Sequence, residues 1–196
     1  MAVLNKRPKK SEILKSKIFI NALDLFMKKG FENVKISDIC EVSDISIGTF
    51  YYYFPSKEAV LLDYYRMADK TADETAANLK CGSCAERLGQ LVMQKVKGFS
   101  VAGQDMGNVC MTAFLKHRDV SSMDMRRSAY SHFMHAIEDG QKSGEFRTDL
   151  DPYMAASSLR YIIGGLAFHW VCYPDDFNLY EEAEKLIEHF VKAIKA

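Results

Sequence analysis

Side chains that can donate hydrogen bonds to an anion are concentrated in the first third of the chain. Tyr51, Tyr52 and Tyr53 are three consecutive phenols, and successive residues of a helix point about 100° apart. At least one phenol must therefore be exposed, where it can donate to a phosphate oxygen. Ser37 and Lys57 lie near predicted helix starts, where backbone amides favour anions. These residues indicate anion binding; packing of the tyrosines in a core is the alternative.

A pair of closely spaced thiols occurs in Cys81-Gly-Ser-Cys84. Cys84 falls at the first position of a predicted helix, where the pKa of a thiol falls. A redox or soft-metal sensing pair is one interpretation, and a loop with two unreactive cysteines is the other. A structural zinc site needs about four ligands, and no second such pair supplies them. His132 and His135 share a helix face without nearby ligand partners. We therefore expect no metal and no cofactor.

Catalytic motifs are not found in the sequence. It contains no glycine-rich phosphate loop, no His-Glu-x-x-His and no Gly-x-Ser-x-Gly, the patterns that position phosphate, zinc and a serine nucleophile, respectively. The remaining acidic residues and histidines have spacings that select no reaction. We therefore expect that the protein is not an enzyme.

Nearly every segment predicts a helix, and none predicts a convincing strand. In the first half, Ser37, Ser46 and Ser56 are placed as N-caps, and Pro55 ends the third helix. The predicted helices of this half are 11–29, 38–42, 47–53 and 56–78.

The second half repeats this pattern with longer helices. Asp151 at the N-cap and Pro152 at the first helical position form the clearest start signal. The predicted helices are 84–102, a glycine-containing break at 103–107, then 108–117, 121–144 with Ser121 and Asp124 at its start, 152–173 and 180–194. The sequence thus predicts an all-α protein of about nine helices.

The composition is typical of a folded protein with an uneven charge distribution. The 196 residues have zero net charge and are 48% hydrophobic, which excludes intrinsic disorder. No apolar run reaches the ~20 residues of a membrane span, no signal peptide is evident, and five scattered cysteines argue against a secreted disulfide framework. We expect a soluble cytoplasmic protein. Residues 1–57 contain ten Lys/Arg and six acids, so this basic end either meets an anion or is a solvated tail.

The second and third predicted helices have the size and spacing of a helix-turn-helix. In that motif the second helix is short and amphipathic, and its outer face enters a DNA major groove. Ile45, Phe50 and Phe54 form the face that would anchor it. Gly48 and Thr49 lie near its start, where small side chains allow close approach to base edges.

The residues around this motif carry a family resemblance. The segment from Ile39 to Glu58, ICEVSDISIGTFYYYFPSKE, resembles the DNA-binding signature of the tetracycline-repressor (TetR) family of transcriptional regulators. Ala22, Phe26 and Gly30-Phe31 match the first helix of that family, and Ser37-Asp38-Ile39 match the start of its second helix. The resemblance is specific over roughly residues 12–65. Beyond them it depends on chain length and helix pattern.

The resemblance implies a homodimer that binds double-stranded DNA at a palindromic operator. It implies a helix-turn-helix domain over residues 1–55, a connecting helix over 56–78 and a ligand-binding and dimerisation domain over 79–196. The implied base contacts are Ile47, Gly48, Thr49 and Tyr52; the implied phosphate contacts are Ser37, Tyr51, Tyr53 and Lys57, with Ser46 at the helix start. A basic arm would add salt-dependent affinity through Lys6, Arg7, Lys9 and Lys10.

Two residues depart from the pattern of the family. Asp44 stands where glycine is usual in the turn, and aspartate tolerates the left-handed conformation. Ile47 stands where a polar residue is common, and it offers an apolar contact, such as to a thymine methyl group. Both departures affect which operator is read more than whether DNA is bound.

The second half supplies candidates for a small-molecule pocket and a dimer interface, as the resemblance implies. Methionines and aromatic residues suit an adaptable apolar cavity, although ordinary core packing is the alternative for each. The pocket candidates are Met93, Met111, Phe114, His117, Phe133, Met134, Tyr161 and Trp170. The interface candidates, on the last two helices, are Ala156, Gly164, Gly165, Ile187 and Phe190.

These observations lead to one functional hypothesis and two alternatives. The hypothesis is a repressor that an unidentified small-molecule effector releases from its operator, because ligand and DNA favour different conformations. The first alternative is a regulator switched by the Cys81 and Cys84 thiols. The second is a helical small-molecule binding protein without DNA function.

Overall fold

The computed structural model describes residues 10–80, 82–117, 127–173 and 177–196, apart from the side chains of Tyr65 and His117. Within these ranges it contains eight α-helices, one 3-10 turn and no β-strand. The one extended pairing in the same ranges is an isolated antiparallel bridge between Phe146 and Lys195. The predicted all-α class is confirmed. No helix among these residues is both long and apolar enough to cross a bilayer.

The chain divides into two compact units, with the boundary between Tyr64 and Tyr65. From residue 10 onwards, the first unit contains three complete helices, a 3-10 turn and the start of a fourth helix. They are α1 (Lys10–Lys29), the turn Phe31–Asn33, α2 (Ile36–Ser43), α3 (Ile47–Tyr53) and the first part of α4 (Lys57–Asn78).

Local signals explain most of these boundaries. Ser46 Oγ accepts a hydrogen bond from the Thr49 amide at 3.1 Å, and Ser56 Oγ accepts one from the Ala59 amide at 3.3 Å, as N-caps do. The predicted cap at Ser37 is wrong. The carboxylate of Asp38 accepts from the Lys35 amide at 3.0 Å, and α2 therefore begins at Ile36, with Ser37 exposed in its first turn.

Buried aromatic residues form the core of the first unit. Phe26, Phe50 and Phe54 are almost completely buried, as are Ile18 and Ile39. The ring centroids of Phe50 and Phe54 lie 5.9 Å apart. Burying a side chain of this size contributes about 1.5–3 kcal/mol. A helix as short as α3, at seven residues, is therefore held by tertiary packing rather than by its own propensity.

The second unit begins with the rest of α4, and its described residues form four further helices. They are α5 (Cys84–His117), α6 (Ser128–Lys142), α7 (Pro152–Cys172) and α8 (Leu179–Ile194). Helix α5 contacts α6, α7 and α8, and α7 contacts α6 and α8. Two clusters of buried side chains fill the interior. The larger includes Leu88, Val92, Tyr130, Phe133, Ala156, Leu159 and Ile187, and the smaller consists of Val96, Leu166, Leu179 and Ala183.

Helix α5 is broken at Gly103, as the sequence predicts. Gly103 has φ 82° and ψ 162°, which are not helical, and a β-carbon there would meet no atom. The backbone conformation, rather than the available space, therefore favours glycine. The predicted start of the next helix at Ser121 and Asp124 lies outside the described residues. Helix α7 begins as predicted, with Asp151 Oδ1 accepting from the Tyr153 amide at 3.0 Å.

A tight corner joins α6 to α7 and holds the end of the chain. A β-carbon on Gly140 would overlap the buried ring of Phe146, so α6 has no room for a side chain there. The amides of Glu145 and Phe146 both donate to the Gly140 carbonyl, at 2.9 and 3.0 Å. The Arg147 amide donates to the carbonyl of Ile194 at 2.9 Å. The end of α8 is thereby tied to this corner.

Candidate nucleic-acid interface

Helix α3 has one buried and one exposed face. Phe50 is completely buried, whereas Ile47, Tyr51 and Tyr52 are 53%, 52% and 81% exposed. Tyr53 is half-buried, and its ring packs edge-on against Tyr52 with centroids 5.0 Å apart. Exposing large apolar and phenolic surfaces to water is unfavourable unless another surface covers them. The outer face of α3 therefore has the properties of a contact surface.

Small residues and a hydroxyl pair form the start of this face. Gly48 is exposed, and a β-carbon there would meet only Ser46 Oγ, at 3.8 Å, an ordinary contact. The fold thus does not require glycine at this position. The hydroxyls of Ser46 and Thr49 are hydrogen-bonded at 2.9 Å, which fixes both side chains. A small and fixed surface of this kind permits close approach to base edges.

The turn before α3 is rigid. Asp44 adopts the left-handed conformation, φ 55° and ψ 56°, and its amide donates to the carbonyls of Cys40 and Glu41. The Asn21 side chain donates to the carbonyl of Val42 and to Ser43 Oγ, both at 3.1 Å. Helix α2 is thereby fixed to α1. The sequence expectation that aspartate can replace glycine in this turn agrees with the geometry.

The ammonium of Lys57 makes contacts within the fold instead of pointing into solvent. Its ammonium donates to the carbonyls of Phe31 and Val34, at 2.8 and 3.2 Å. It also lies 4.4 Å from the centroid of the Phe31 ring. These contacts attach the start of α4 to the turn after α1. They occupy the ammonium, so the geometry does not favour the phosphate contact that the sequence suggested.

No charged residue lies on α3, whose sequence is Ile-Gly-Thr-Phe-Tyr-Tyr-Tyr. The neighbouring helix α2 contributes Asp38 and Glu41, and the turn contributes Asp44. The exposed surface of α3 therefore offers hydroxyl groups and apolar area, not cations. Of the basic arm proposed from the sequence, Lys10 begins α1, whereas Lys6, Arg7 and Lys9 lie outside the described residues.

The predicted pocket residues do not enclose a single described cavity. Two surface depressions of about 460 Å³ each are present, one along α1 and one beside the start of α5, and neither is lined by a pocket candidate. Phe133 is buried in the larger core cluster and Tyr161 is 63% exposed. Met93, Met111, Phe114, Met134 and Trp170 are half-buried, and the side chain of His117 lies outside the described part of the chain.

Two of the predicted interface residues are buried in the core of their own chain. Ala156 is completely buried and Ile187 is 7% exposed, both within the core of their own chain, so neither is available to a partner. Phe190 is half-buried against the same cluster. Gly165, by contrast, is exposed, and Gly164 is half-buried. Apolar periodicity alone did not distinguish the inner from the outer face of α7.

The start of α5 does not favour a thiol switch. The carboxylate of Glu145 accepts hydrogen bonds from the amides of Cys84 and Ala85, at 2.7 and 3.0 Å. The helix N-terminus that would activate the thiol is thus already neutralised by an anion. Cys81 lies outside the described residues. Within the described part of the chain, no group of three or more metal-ligating side chains is found.

Sequence reasoning missed a partly buried charged group in the second unit. Arg127 forms a bidentate ion pair with Asp69, with distances of 2.9–3.1 Å, and Lys95 lies near it. Lys95 falls on the apolar face of α5, three residues after Val92 and four before Phe99. A lysine at such a position is a sequence signal that could have identified this group.

Comparison with known proteins identifies the family. Residues 18–64 match the model described as "Bacterial regulatory proteins, tetR family", and residues 111–196 match the C-terminal region of the MAATS-type transcriptional repressors. The chain is 23% identical to the fatty acid metabolism regulator protein of Bacillus subtilis over 96% of its length and 97% of that protein. It is 33% identical to the HTH-type transcriptional regulator YuxN of the same species over 59% of this chain but only 35% of that relative.

A solved structure is similar to the chain over most of its length. A transcriptional regulator from Saccharomonospora viridis, in complex with choline, superposes with a TM-score of 0.71 at 26% identity, covering 93% of this chain and 97% of that one. The two family models together span the helix-turn-helix and the C-terminal helices. The chain belongs to the tetR family of bacterial regulatory proteins.

Proposed function

We propose that this DNA-binding regulator is a repressor whose dimer reads a palindromic operator through α3 and is released by a small molecule. The observation that carries the proposal is the exposed face of α3, held on a rigid turn and a buried Phe50. A short helix presented in this way suits insertion into a major groove. Two subunits related by a two-fold axis would read two half-sites.

Base and phosphate contacts are assigned by position on α2 and α3. Ile47 and Tyr52 are the most exposed large side chains of the helix, and with Gly48 and Thr49 they form the proposed base-reading set. The proposed phosphate contacts are Ser37, Tyr51 and Tyr53, whose hydroxyls can donate to phosphate oxygens. Because α3 has no cation, the salt dependence of binding must come from basic residues elsewhere, such as the N-terminal arm.

The dimer surface is proposed to lie on the outer face of α7. Met154, Tyr161 and Phe168 are 60%, 63% and 55% exposed, and they recur every seven residues, which places them on one stripe. Gly165 lies on the same stripe and is open to solvent. An exposed apolar stripe of this kind is typical of a helix that packs against a symmetry mate. This stripe replaces the buried residues Ala156 and Ile187 in the interface.

Control by ligand is proposed to operate through α4. Residues 1–55 would bind DNA and residues 79–196 would bind ligand and partner. Helix α4 joins the two units along the chain. A ligand that prefers a conformation with α4 displaced would lower operator affinity because ligand and DNA then favour different states.

Selection of duplexes from a randomised pool tests the proposal. The purified protein is expected to enrich a palindrome, and transcription in vitro from a promoter containing that palindrome should fall when protein is added. Failure to enrich any sequence after refolding to remove bound ligand would contradict DNA reading. Activation of transcription would contradict repression while leaving DNA reading intact.

A further inference from the structure

Helix α3 lacks every side chain that reads a base through paired hydrogen bonds. In the major groove, guanine is read by arginine or lysine, adenine by asparagine or glutamine, and cytosine by a carboxylate. The seven residues of α3, Ile-Gly-Thr-Phe-Tyr-Tyr-Tyr, include none of these. If α3 reads bases, it must therefore do so with hydroxyl groups and apolar surface.

The hydroxyl groups at the start of α3 discriminate weakly between bases. A hydroxyl both donates and accepts, so it can meet either a donor or an acceptor on a base edge. The hydroxyls of Ser46 and Thr49 also share a hydrogen bond at 2.9 Å, and Ser46 Oγ accepts from the Thr49 amide at 3.1 Å. Hydrogen bonding by this pair therefore gives little sequence preference.

Ile47 places apolar surface where a recognition helix meets base edges. It is the first residue of α3, and its side chain is 53% exposed. The N-terminal residues of a recognition helix are the ones that contact base edges in the major groove. Gly48, which follows it, is exposed and has no side chain to hold the helix away from the DNA. The Ile47 side chain is thus free to contact a base directly.

The carboxylate nearest to Ile47 along the chain disfavours guanine. Asp44 is exposed in the turn three residues before Ile47. Guanine presents only acceptors in the major groove, N7 and O6, and an ionised carboxylate has no proton to donate to them. Of the groups that the four bases display in this groove, the thymine methyl is the apolar one. The chemistry around Ile47 therefore matches an A·T pair.

We propose that Ile47 makes α3 a reader of thymine methyl groups, so that each operator half-site presents a thymine to this side chain. The methyl group, rather than a hydrogen bond, then distinguishes this base pair from the others. The inference rests on the proposed function in one respect, namely that α3 enters the major groove. It adds the chemical feature of the DNA that is read and the residue that determines the specificity.

Replacement of thymine by uracil tests the inference, because uracil lacks the C5 methyl group and keeps the hydrogen-bonding groups of thymine. The selected operator is synthesised with uracil at one symmetric pair of thymines at a time, and affinity is measured by fluorescence anisotropy at one salt concentration. At the pair that faces Ile47 we expect a loss of about fourfold per methyl group, or about fifteenfold for the two half-sites together. Uracil outside the palindrome should have no effect.

Cytosine and 5-methylcytosine at the same two positions separate methyl recognition from hydrogen bonding. Both bases place the same amino group in the major groove, and only 5-methylcytosine carries the methyl group. The 5-methylcytosine operator should therefore bind more tightly than the cytosine operator, by about the same fifteenfold. Equal binding of the two would indicate that the amino group is read, as by the Asp44 carboxylate, and would overturn the inference.

Ile47→Ala is the test variant and Ile20→Ala is its matched control, since Ile20 is 63% exposed on α1. Ile47→Ala should bind the thymine and uracil operators equally, whereas Ile20→Ala should keep the wild-type discrimination. Ile47→Val retains a branched apolar side chain and should keep most of it.

Two results would overturn the inference alone. One is wild-type protein that binds thymine and uracil operators equally at every symmetric pair, and the other is Ile47→Ala protein with undiminished discrimination. A selection that recovers no operator would instead contradict the proposed function, and the inference with it. Failure of methyl recognition is thereby distinguishable from failure of DNA reading.

Discussion

At the scale of single residues, Gly48 and Lys57 show how position decides between structural and functional roles. Gly48 is small where the fold leaves room for a methyl group, so the fold itself does not require glycine there. Lys57 resembles a phosphate ligand in the sequence, but its ammonium holds the carbonyls of Phe31 and Val34. Substitution of Gly48 should therefore alter DNA binding alone, whereas substitution of Lys57 should alter the stability of the fold.

Gly48→Ala should separate stability from operator binding. Alanine is favoured over glycine within a helix by about 1 kcal/mol, so the variant should unfold at an equal or higher temperature. The added methyl group should weaken operator binding about tenfold or more by blocking close approach to base edges. Calorimetric melting and fluorescence anisotropy with labelled operator measure the two effects. Gly98→Ala, in open space on α5, is the control that should retain affinity; equal affinity in both variants would refute the contact.

Lys57→Ala should destabilise the first unit. The variant leaves two backbone carbonyls without their charged donor, which costs about 1–3 kcal/mol. Chemical denaturation measures this loss. Lys29→Ala, at an exposed position in the last turn of α1, should cost far less. Normal stability of Lys57→Ala together with weakened DNA binding would restore the phosphate contact that the sequence suggested.

At the scale of helices, the ends of α5 and α6 are joined by one carboxylate. Burial raises the pKa of Glu145, but hydrogen bonds from the Ala85 and Cys84 amides and from the Ser83 and Cys84 side chains outweigh it, so the pKa lies below its ordinary value. Because the folded protein binds this proton less readily than the unfolded chain, the stabilisation is present at neutral pH and is lost as the pH falls.

Glu145→Gln should therefore destabilise the protein in a pH-dependent way. The expected loss is about 1 kcal/mol near neutral pH, as for other capping side chains. It should shrink towards zero as the pH falls below about 4, where carboxyl groups protonate. Denaturation curves across this range measure the difference from wild type. Glu184→Gln, exposed on α8, should show no such trend, and a constant difference for Glu145→Gln would exclude the charged cap.

The helices also show which features of the structure can be predicted from the sequence and which cannot. The bounds of α3 follow from neighbouring residues, Ser46 at its start and Pro55 after its end, and were predicted. The Lys57 and Glu145 contacts join residues 26 and 61 positions apart, so no local pattern reveals them. The outer face of α7 was identified only in part, at Gly165, because apolar residues occur on both sides of the helix, as Ile163 and Phe168 illustrate.

At the scale of the whole molecule, the proposed function requires two α3 helices held by one dimer. The stripe of Met154, Tyr161 and Phe168 on α7 is apolar and exposed in the single chain. Covering it with a second copy would remove that area from water. A dimer also sets the spacing of two α3 helices, which one subunit cannot do.

Tyr161→Glu should convert the dimer into a monomer. A charge buried in a two-fold interface meets its own symmetry copy, so each dimer would contain two desolvated carboxylates. Analytical ultracentrifugation should show the monomer mass, and operator affinity should fall with it. Val101→Glu places the same charge at a site on α5 that is 79% exposed and should remain dimeric. A dimeric Tyr161→Glu protein would place the interface elsewhere.

Operator selection with Tyr52→Ala tests whether the exposed face of α3 reads bases. Tyr52 is 81% exposed, so its removal should leave the fold unchanged. We expect the variant to lose base preference at one position in each half-site, symmetrically, and to keep the rest of the wild-type palindrome. Ile20→Ala, 63% exposed on α1, should select the wild-type sequence. A Tyr52→Ala protein that selects the wild-type sequence at every position would contradict the account.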